Sequence, residues 1–349
     1  MNFKILTYNL WHGLNGKAFH MAELEPPGRH QRRIEQQLHL LKAASPDLMF
    51  FQEANPVPQL SQLFKTRLNL DEAHLVDNAG IKIFGKGFPN KLFSGLVTLA
   101  RKELKLKRLG SFRLSGPVIG YCSDRFCFQF AEQRYALICQ IEHPDLGKIL
   151  LANIHLHHGV ELSPSILNAI AKAIKEGLLT ASQKDHFFAK LERGTKRRLS
   201  EISLLNQIIS QATSCETYSS VIIAGDLNAS PFSAVSQAIK SSGYIDTADS
   251  KEVEPIYTWI PQENTENHKF NEGFKHPWFL DEITNIKARK MIHQALWDQE
   301  FSRRRLDYIF VTPELGRRLV TTQLFGKESE PGNIIGSDHF GICSDFKTN

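Results

Sequence analysis

Five segments of this chain put amide, carboxylate or imidazole side chains directly after apolar runs. Asn9 follows Phe3 to Tyr8 in Thr7-Tyr8-Asn9-Leu10-Trp11, and Glu53 follows Asp47-Leu48-Met49-Phe50-Phe51-Gln52. A third run ends in Asn153-Ile154-His155-Leu156-His157-His158, and Val221-Ile222-Ile223-Ala224 leads into Gly225-Asp226-Leu227-Asn228-Ala229-Ser230-Pro231. The fifth is a C-terminal pair, Arg305-Leu306-Asp307-Tyr308-Ile309-Phe310 and Gly336-Ser337-Asp338-His339. Such apolar runs read as strands, and strand ends are where sheet proteins carry reactive groups.

Taken singly, each segment has a structural reading beside a chemical one. Asn9 alone is a turn residue. Glu53 is either a surface carboxylate or a hard oxygen ligand of the type Mg²⁺ requires. Three histidines in four positions suggest zinc, but no second group of zinc spacing accompanies them. One functional histidine, His155, donating to a phosphate oxygen, is the preferred reading; alternation puts Asn153, His155 and His157 on one side of a strand. If the chain is still extended past Asp226, that carboxylate and Asn228 share a side and face a metal, a water or a phosphate. Asp307 and His339 are candidates for a dyad in which the carboxylate orients the imidazole. Together these groups are rich in carboxylate and amide and imply no Ser or Cys nucleophile. The matching chemistry is metal-assisted attack of water on phosphorus.

Such a set needs a scaffold. Arg29 to Ala44 reads as a helix with Ile34, Leu38 and Leu41 on one face and Pro46 as its stop. Ser94 to Ala100, Ile149 to Leu156, Leu306 to Val311 and Phe340 to Ser344 read as strands. Phe126 to Phe130 and Tyr135 to Ile141 read as a hairpin joined through Ala131-Glu132-Gln133-Arg134. Ser163-Pro164 opens a helix carrying Leu167, Ile170, Ile174 and Leu178, and Leu199, Ile202, Leu205 and Ile209 mark a second one after Gly194. Strands dispersed along the chain with helices between them argue for one α/β sandwich over residues 1–349, with a helical insertion at about 160–193.

Composition sets wide bounds. A chain of 349 residues with 23 phenylalanines can bury a sizeable core, and a net charge of +5 is permissive of an anionic substrate. Cys122, Cys127, Cys139, Cys215 and Cys343 are odd in number; Cys122 and Cys127 read as buried strand residues rather than a zinc half-site, and a reducing compartment follows. No signal peptide is visible at Met1-Asn2-Phe3-Lys4, and no apolar run approaches a membrane span. The default expectation is a cytoplasmic protein, with a signal-independent route of export left open.

From Asn9 to His339 these segments, in this order, resemble the endonuclease/exonuclease/phosphatase superfamily, whose members include deoxyribonucleases, apurinic endonucleases, neutral sphingomyelinases and inositol polyphosphate 5-phosphatases. The resemblance implies a deoxyribonuclease-like two-sheet α/β sandwich, helices on its outer faces and the site at one end. It implies Mg²⁺, with Mn²⁺ as a possible substitute, held at Glu53 as principal ligand with Asn9 and Asp338 close by. It sets His155 and Asn228 on the scissile phosphate and Asp226 on the attacking water. His339, held by Asp307, is the other candidate base or phosphate stabiliser. The chain lacks the Pro-Ala-Trp-Thr-Asp-Arg pattern of the inositol phosphatases, while Tyr257-Thr258-Trp259 resembles a segment of the sphingomyelinase-like branch.

The expected activity is therefore a Mg²⁺-dependent phosphohydrolase, with a phosphodiester, in nucleic acid or in a phospholipid headgroup, as substrate. A nuclease would use Arg101, Lys102, Lys105, Lys107 and Arg108, or Lys196, Arg197 and Arg198, which read equally as solvated faces. A sphingomyelinase-like enzyme would need Phe84, Phe88, Phe93 or Phe187-Phe188 at its surface, although core packing explains them as well. The alternative from another class is a catalytically silent binding or effector protein that retains the fold. Specificity is expected from loops 12–28, 78–92, 112–125 and 262–300 and from the helical insertion, placed beside the mouth of the site.

Overall fold

The computed structural model describes residues 2–13, 24–78, 81–83, 86–88, 93–116, 120–122, 126–129, 133–249, 255–263, 280, 282–327 and 334–348. Two six-stranded mixed sheets form the centre. The first runs β15 (Leu319–Phe325), β16 (Gly341–Lys347), β1 (Asn2–Asn9), β2 (Leu48–Ala54), β6 (Ser94–Arg101), β3 (Leu70–Asn78). The second runs β13 (Ile245–Asp246), β14 (Asp307–Val311), β12 (Ser220–Asp226), β11 (Gly147–His155), β10 (Arg134–His143), β7 (Lys107–Ser115). Within them β1 with β2 and β11 with β12 are parallel, and the remaining neighbours are antiparallel. A smaller sheet joins β5 (Lys86–Phe88), β4 (Ile81–Ile83), β9 (Phe126–Gln129) and β8 (Gly120–Cys122).

Period-two alternation builds the layers. Ile5, Phe50, Leu151, Ile222 and Ile309 point between the two sheets into a shared core. Their chain neighbours Leu6, Phe51, Leu150 and Ile223 point outward. On the first sheet those outward residues meet Leu38 and Leu41 of α1 (Pro27–Ala44) and Val57, Leu60 and Phe64 of α2 (Val57–Leu68). On the second they meet Ile202, Leu205 and Ile209 of α4 (Ala181–Cys215) and Val235 and Ile239 of α5 (Ala234–Ser241). The expected two-sheet sandwich with helices on its outer faces is the observed fold.

Several expectations about individual elements are corrected. Phe126 to Phe130 and Tyr135 to Ile141 do not form a hairpin: β9 pairs with β8 and β4, whereas β10 pairs with β11 and β7. Gly194 does not separate two helices, because α4 runs unbroken for 35 residues from a Thr180–Gln183 capping box. An interior glycine costs a helix about 1 kcal/mol, and here it admits a backbone: a Cβ on Gly194 would lie 3.4 Å from the Cα of Gly159. The segment 262–300 is not all loop, since Ile286–Glu300 forms α6, capped by Asn285 Oδ1.

The insertion and α6 are also one unit. Ile166, Ile170 and Ala173 of α3 (Pro164–Lys175), with Phe187 and Leu191 of α4, bury against Ile283, Ala288, Ile292 and Leu296. Segments far apart in the sequence thus share a hydrophobic cluster of their own, separate from the sandwich core.

Candidate active site

The strand faces that make the inter-sheet core become polar toward one end. Phe3 and Ile5 give way to Thr7 and Asn9, Leu48 and Phe50 to Gln52, Ile149 and Leu151 to Asn153 and His155, and Ile222 and Ala224 to Asp226. Asn153 is wholly buried: its Nδ2 donates to Val97 O at 3.0 Å and Phe51 O at 3.2 Å, and its Oδ1 accepts from Gln52 Nε2 at 2.8 Å. This amide layer satisfies its own polar groups, as burial demands, and forms the floor beneath the charged residues.

Above it, Asp226 is the hub. Its Oδ2 accepts from Asn9 Nδ2 at 3.0 Å and lies 3.6 Å from His155 Nε2 and 3.9 Å from His339 Nε2. His339 Nδ1 and Asp307 Oδ2 are 2.9 Å apart, within hydrogen-bond distance. Asp226 and Asp307 are register partners on neighbouring strands. On the other side, Glu53 Oε1 is 3.8 Å from His155 Nε2, and Glu53 Oε2 is 3.5 Å from His12 Nε2 and accepts from His12 N at 3.2 Å. Asp338 sits on the turn into β16, its Oδ1 3.3 Å from Ser337 Oγ, which also donates to Asn9 O at 2.6 Å. The structure therefore gathers Asn9, Glu53, His155, Asp226, Asp307, Asp338 and His339 at one end of the sandwich.

Backbone conformation does part of the placing. Six non-glycine residues have positive φ among the described residues. Ser45, Asn69 and Lys105 are ordinary helix C-caps, while Trp11 (φ 57°), Glu53 (φ 54°) and Asn228 (φ 49°) lie within two residues of strand ends at the site. At Glu53 the β2–β6 register slips between Phe51 and Ala54, which swings the carboxylate out of the pleat. The chain is not extended past Asp226, so the premise for Asn228 is corrected. Asn228 turns back instead, with its N–H donating to Asp226 Oδ1 at 2.7 Å and its Nδ2 to Leu156 O at 3.0 Å, while His158 Nδ1 lies 3.3 Å from its Oδ1. Gly225 allows the tight pairing before this turn, because a Cβ there would sit 1.9 Å from Ile154 O.

Charges are balanced closely in this space. Burial pushes the Glu53 carboxyl up, but His12, His155 and His339 outweigh it and hold it at about 2. Burial and the Asp307 carboxylate push Asp226 up to about 6. Asp338 rises to about 7 through burial; His339 opposes the rise and the nearby Glu53 adds to it. Burial disfavours charge on His339, yet Asp307, Asp226 and Asp338 raise it to about 10, so the ring is an imidazolium at neutral pH.

This donor set fits a hard divalent cation. Glu53 and Asp338 are oxygen donors that repel one another; they would hold a hard cation, whose charge would offset that repulsion. Asp226, Asp307 and His339 also offer ligand atoms all within 4.8 Å of one another. There, however, His339 Nδ1 is already engaged with Asp307, which favours a hydrogen-bonded triad over a ligand cage.

Some positioning residues are not among those singled out by type and spacing. His12 faces Glu53 from a segment read only as a loop. Thr258 Oγ1 accepts from the N–H groups of Leu306 at 3.0 Å and Asp307 at 3.2 Å, and the Trp259 ring meets His339 edge-on at 5.0 Å. Arg33 and Gln37 of α1 tie Leu10 O to Gly336 O, joining the Asn9 and Asp338 loops. Arg29, Arg33 and Gln37 recur every four residues beside the apolar stripe of α1, a signal present in the sequence.

Among the described residues, the cluster Arg101 to Arg108 follows its solvated-face reading, and Phe93 and Phe187 follow the core-packing one. Arg101 to Arg108 occupy the far end of the sheets, because β6 leaves the site at Ser94 and β7 reaches it only at Ser115. Arg101 pairs there with Asp47 at 2.8 Å and Lys105 with Glu142 at 3.1 Å. Phe93 and Phe187 are buried, and Phe84 and the side chain of Phe88 lie outside the described residues. Arg198 is no surface group either: fully buried, it donates to His157 O at 3.1 Å and Gly159 O at 3.0 Å, while Glu201 Oε2 accepts from His157 N at 2.9 Å. The two grip the loop whose Leu156 O holds Asn228. Arg198→Met is expected to lower kcat about ten-fold and stability by about 2 kcal/mol, with partial recovery in Arg198→Lys, because it strands buried carbonyls. Steady-state kinetics with urea unfolding test this, and an unchanged kcat in a destabilised variant would assign Arg198 to stability alone.

Two face-to-face mixed sheets with acidic groups and histidines converging at one end define a deoxyribonuclease-like α/β sandwich. The sequence model of the Endonuclease/Exonuclease/phosphatase family matches residues 6–339, so the chain belongs to that family and is a phosphoric ester hydrolase. An endonuclease/exonuclease/phosphatase family protein from Bacteroides thetaiotaomicron is similar in fold at TM-score 0.59 and 14% identity, over 99% of this chain and 94% of that one. A mannosyl-6-phosphatase of the same species gives TM-score 0.57 at 14% identity, over 98% of each chain. TDP2 of D. rerio, complexed with single strand DNA product, gives TM-score 0.53 at 17% identity, over 99% of each chain. No curated protein gives a significant match. Among the described residues, no helix is long and apolar enough to cross a membrane.

Proposed function

We propose that this chain is a Mg²⁺-dependent phosphodiesterase of nucleic acid, built as a single domain with a helical insertion. The observation that carries the reading is the joining of Glu53, His155, Asp226 and His339 through the contacts around Asp226, with Asp338 at the same end. The single-strand DNA product bound by the D. rerio neighbour supports the substrate class.

Glu53, with Asp338 and Asn9 beside it, would hold the cation, which when bound neutralises charge on the phosphate and the leaving oxygen. His155 and Asn228 bind the equatorial oxygens. Asp226, its carboxyl near 6, accepts the proton of the attacking water, within the range that suits a base at neutral pH. His339, kept charged by Asp307, stabilises the developing negative charge.

Assay of the full chain with Mg²⁺, Mn²⁺ or chelator on DNA, RNA, sphingomyelin vesicles, phosphoinositides, a mannose phosphomonoester and methyl p-nitrophenyl phosphate tests the reading. Metal-dependent cleavage of an oligonucleotide is expected. Turnover of the monoester alone would make the protein a phosphatase, and no turnover under any metal would favour a silent binding protein.

The helical unit borders this site. Glu161 accepts from Ser230 N at 2.8 Å, and α6 reaches in through Gln299 Nε2 to Glu161 O at 3.0 Å and Glu300 O to Trp259 Nε1 at 2.9 Å. We assign it part of the substrate choice. Replacing 163–178 with a short linker while keeping α4 whole is expected to change relative rates across the panel and spare methyl p-nitrophenyl phosphate. Unchanged ratios in a folded variant count against this role.

A further inference from the structure

The loop leaving the site end of β12 carries the most exposed large apolar side chain among the described residues. Phe232 is 90% exposed, against 66% for Ile286. Its backbone is held at both ends. Ser230 donates to Glu161 from its N–H at 2.8 Å and its hydroxyl at 2.6 Å. Ser233 closes the turn on Ser230 O, from its N–H at 3.1 Å and its hydroxyl at 2.7 Å. Gln237 Nε2 reaches Pro231 O at 3.2 Å, and Pro231 presets the turn. A fixed turn therefore holds a phenyl ring in water, where burial of that ring would be favourable.

Position and surroundings indicate what covers the ring. Phe232 lies four residues beyond Asn228, so the two Cα atoms are no more than about 14 Å apart. Around it the turn carries Ser230, half-buried Pro231, Ser233 and the exposed Ala234 and Gln237, with no second large apolar side chain. A lipid surface is met by contiguous apolar area, which this turn lacks. One flat ring standing alone beside a phosphate site is what an unpaired base stacks upon. We propose that Phe232 is a stacking platform for an unpaired nucleobase near the scissile phosphate, and so a specificity residue. This rests on the phosphodiesterase reading given above.

The test is binding of a labelled single-stranded oligonucleotide, followed by fluorescence anisotropy in chelator, with turnover measured separately in Mg²⁺. Because the side chain is exposed, Phe232→Ala should fold as the parent does. Its Kd is expected to rise about ten-fold, with kcat unchanged, and Phe232→Trp should restore the affinity. An abasic oligonucleotide of equal length should bind parent and Phe232→Ala alike. An unchanged Kd in Phe232→Ala, or an equal loss on the abasic strand, overturns the proposal. So does loss of binding to sphingomyelin vesicles without loss on DNA, which would make the ring a lipid contact. If the parent binds no oligonucleotide yet cleaves methyl p-nitrophenyl phosphate, this inference fails and the hydrolase reading stands. If it cleaves nothing, both fail.

Discussion

His339→Ala is expected to lower kcat by about 10²–10⁴. The ring is buried and held by Asp307 at 2.9 Å, and its Nε2 faces Asp226 across 3.9 Å. In the proposed mechanism, removing it deletes the positive charge that stabilises the developing negative charge. It also strands the buried Asp307 carboxylate, so some stability is lost with it. His339→Gln keeps a donor toward Asp307 and should recover stability without recovering rate. Asp307→Asn should be slow as well, since it loses the carboxylate that keeps the ring charged. Single-turnover kinetics alongside thermal unfolding separate the two effects. If His339→Gln kept near-parental kcat with the chemical step rate-limiting, the ring would have no part in the reaction.

Glu53→Gln is expected to cost at least as much through the metal. Loss of an outer partner of a metal ligand weakens affinity about 10–100-fold, and loss of a direct carboxylate ligand should exceed that. The carboxylate is held ionised by His12, His155 and His339 against burial, so it is ready to bind a cation without first losing a proton. Calorimetric titration with Mn²⁺ reads the affinity directly, and excess chelator should abolish turnover of the parent protein. Full turnover by metal-free protein would remove the cation from the reaction altogether.

Much of this candidate site is legible in the sequence alone. Strands alternate with period two, so an inward face that is apolar through Ile5, Leu151 or Ile222 and ends in Asn9, His155 or Asp226 announces both the core and the edge of a polar site. The preponderance of oxygen-rich donors over cysteine, which suits a hard cation, is likewise written in residue types. Helix faces were as plain: Leu38 and Leu41 lie where their spacing puts them, against the first sheet.

What the sequence could not decide depends on direction and partner. A charged cluster beside a strand lies at the site or at the far end according to which way that strand runs, and only the topology of β6 and β7 sends Arg101 to Arg108 away from the chemistry. Adjacent strands such as β9 and β10 join different sheets because pairing is settled by packing at long range. The helix break read at Gly194 does not occur, and the glycine instead lets the Gly159 backbone approach the continuous helix. Asp226 meets Asn9, His155 and His339 only because strands from both sheets end together, and Asn228 reaches its place through a left-handed turn that one residue's type cannot specify. Local chemistry chose the groups, and the packing of two twisted sheets chose which of them meet.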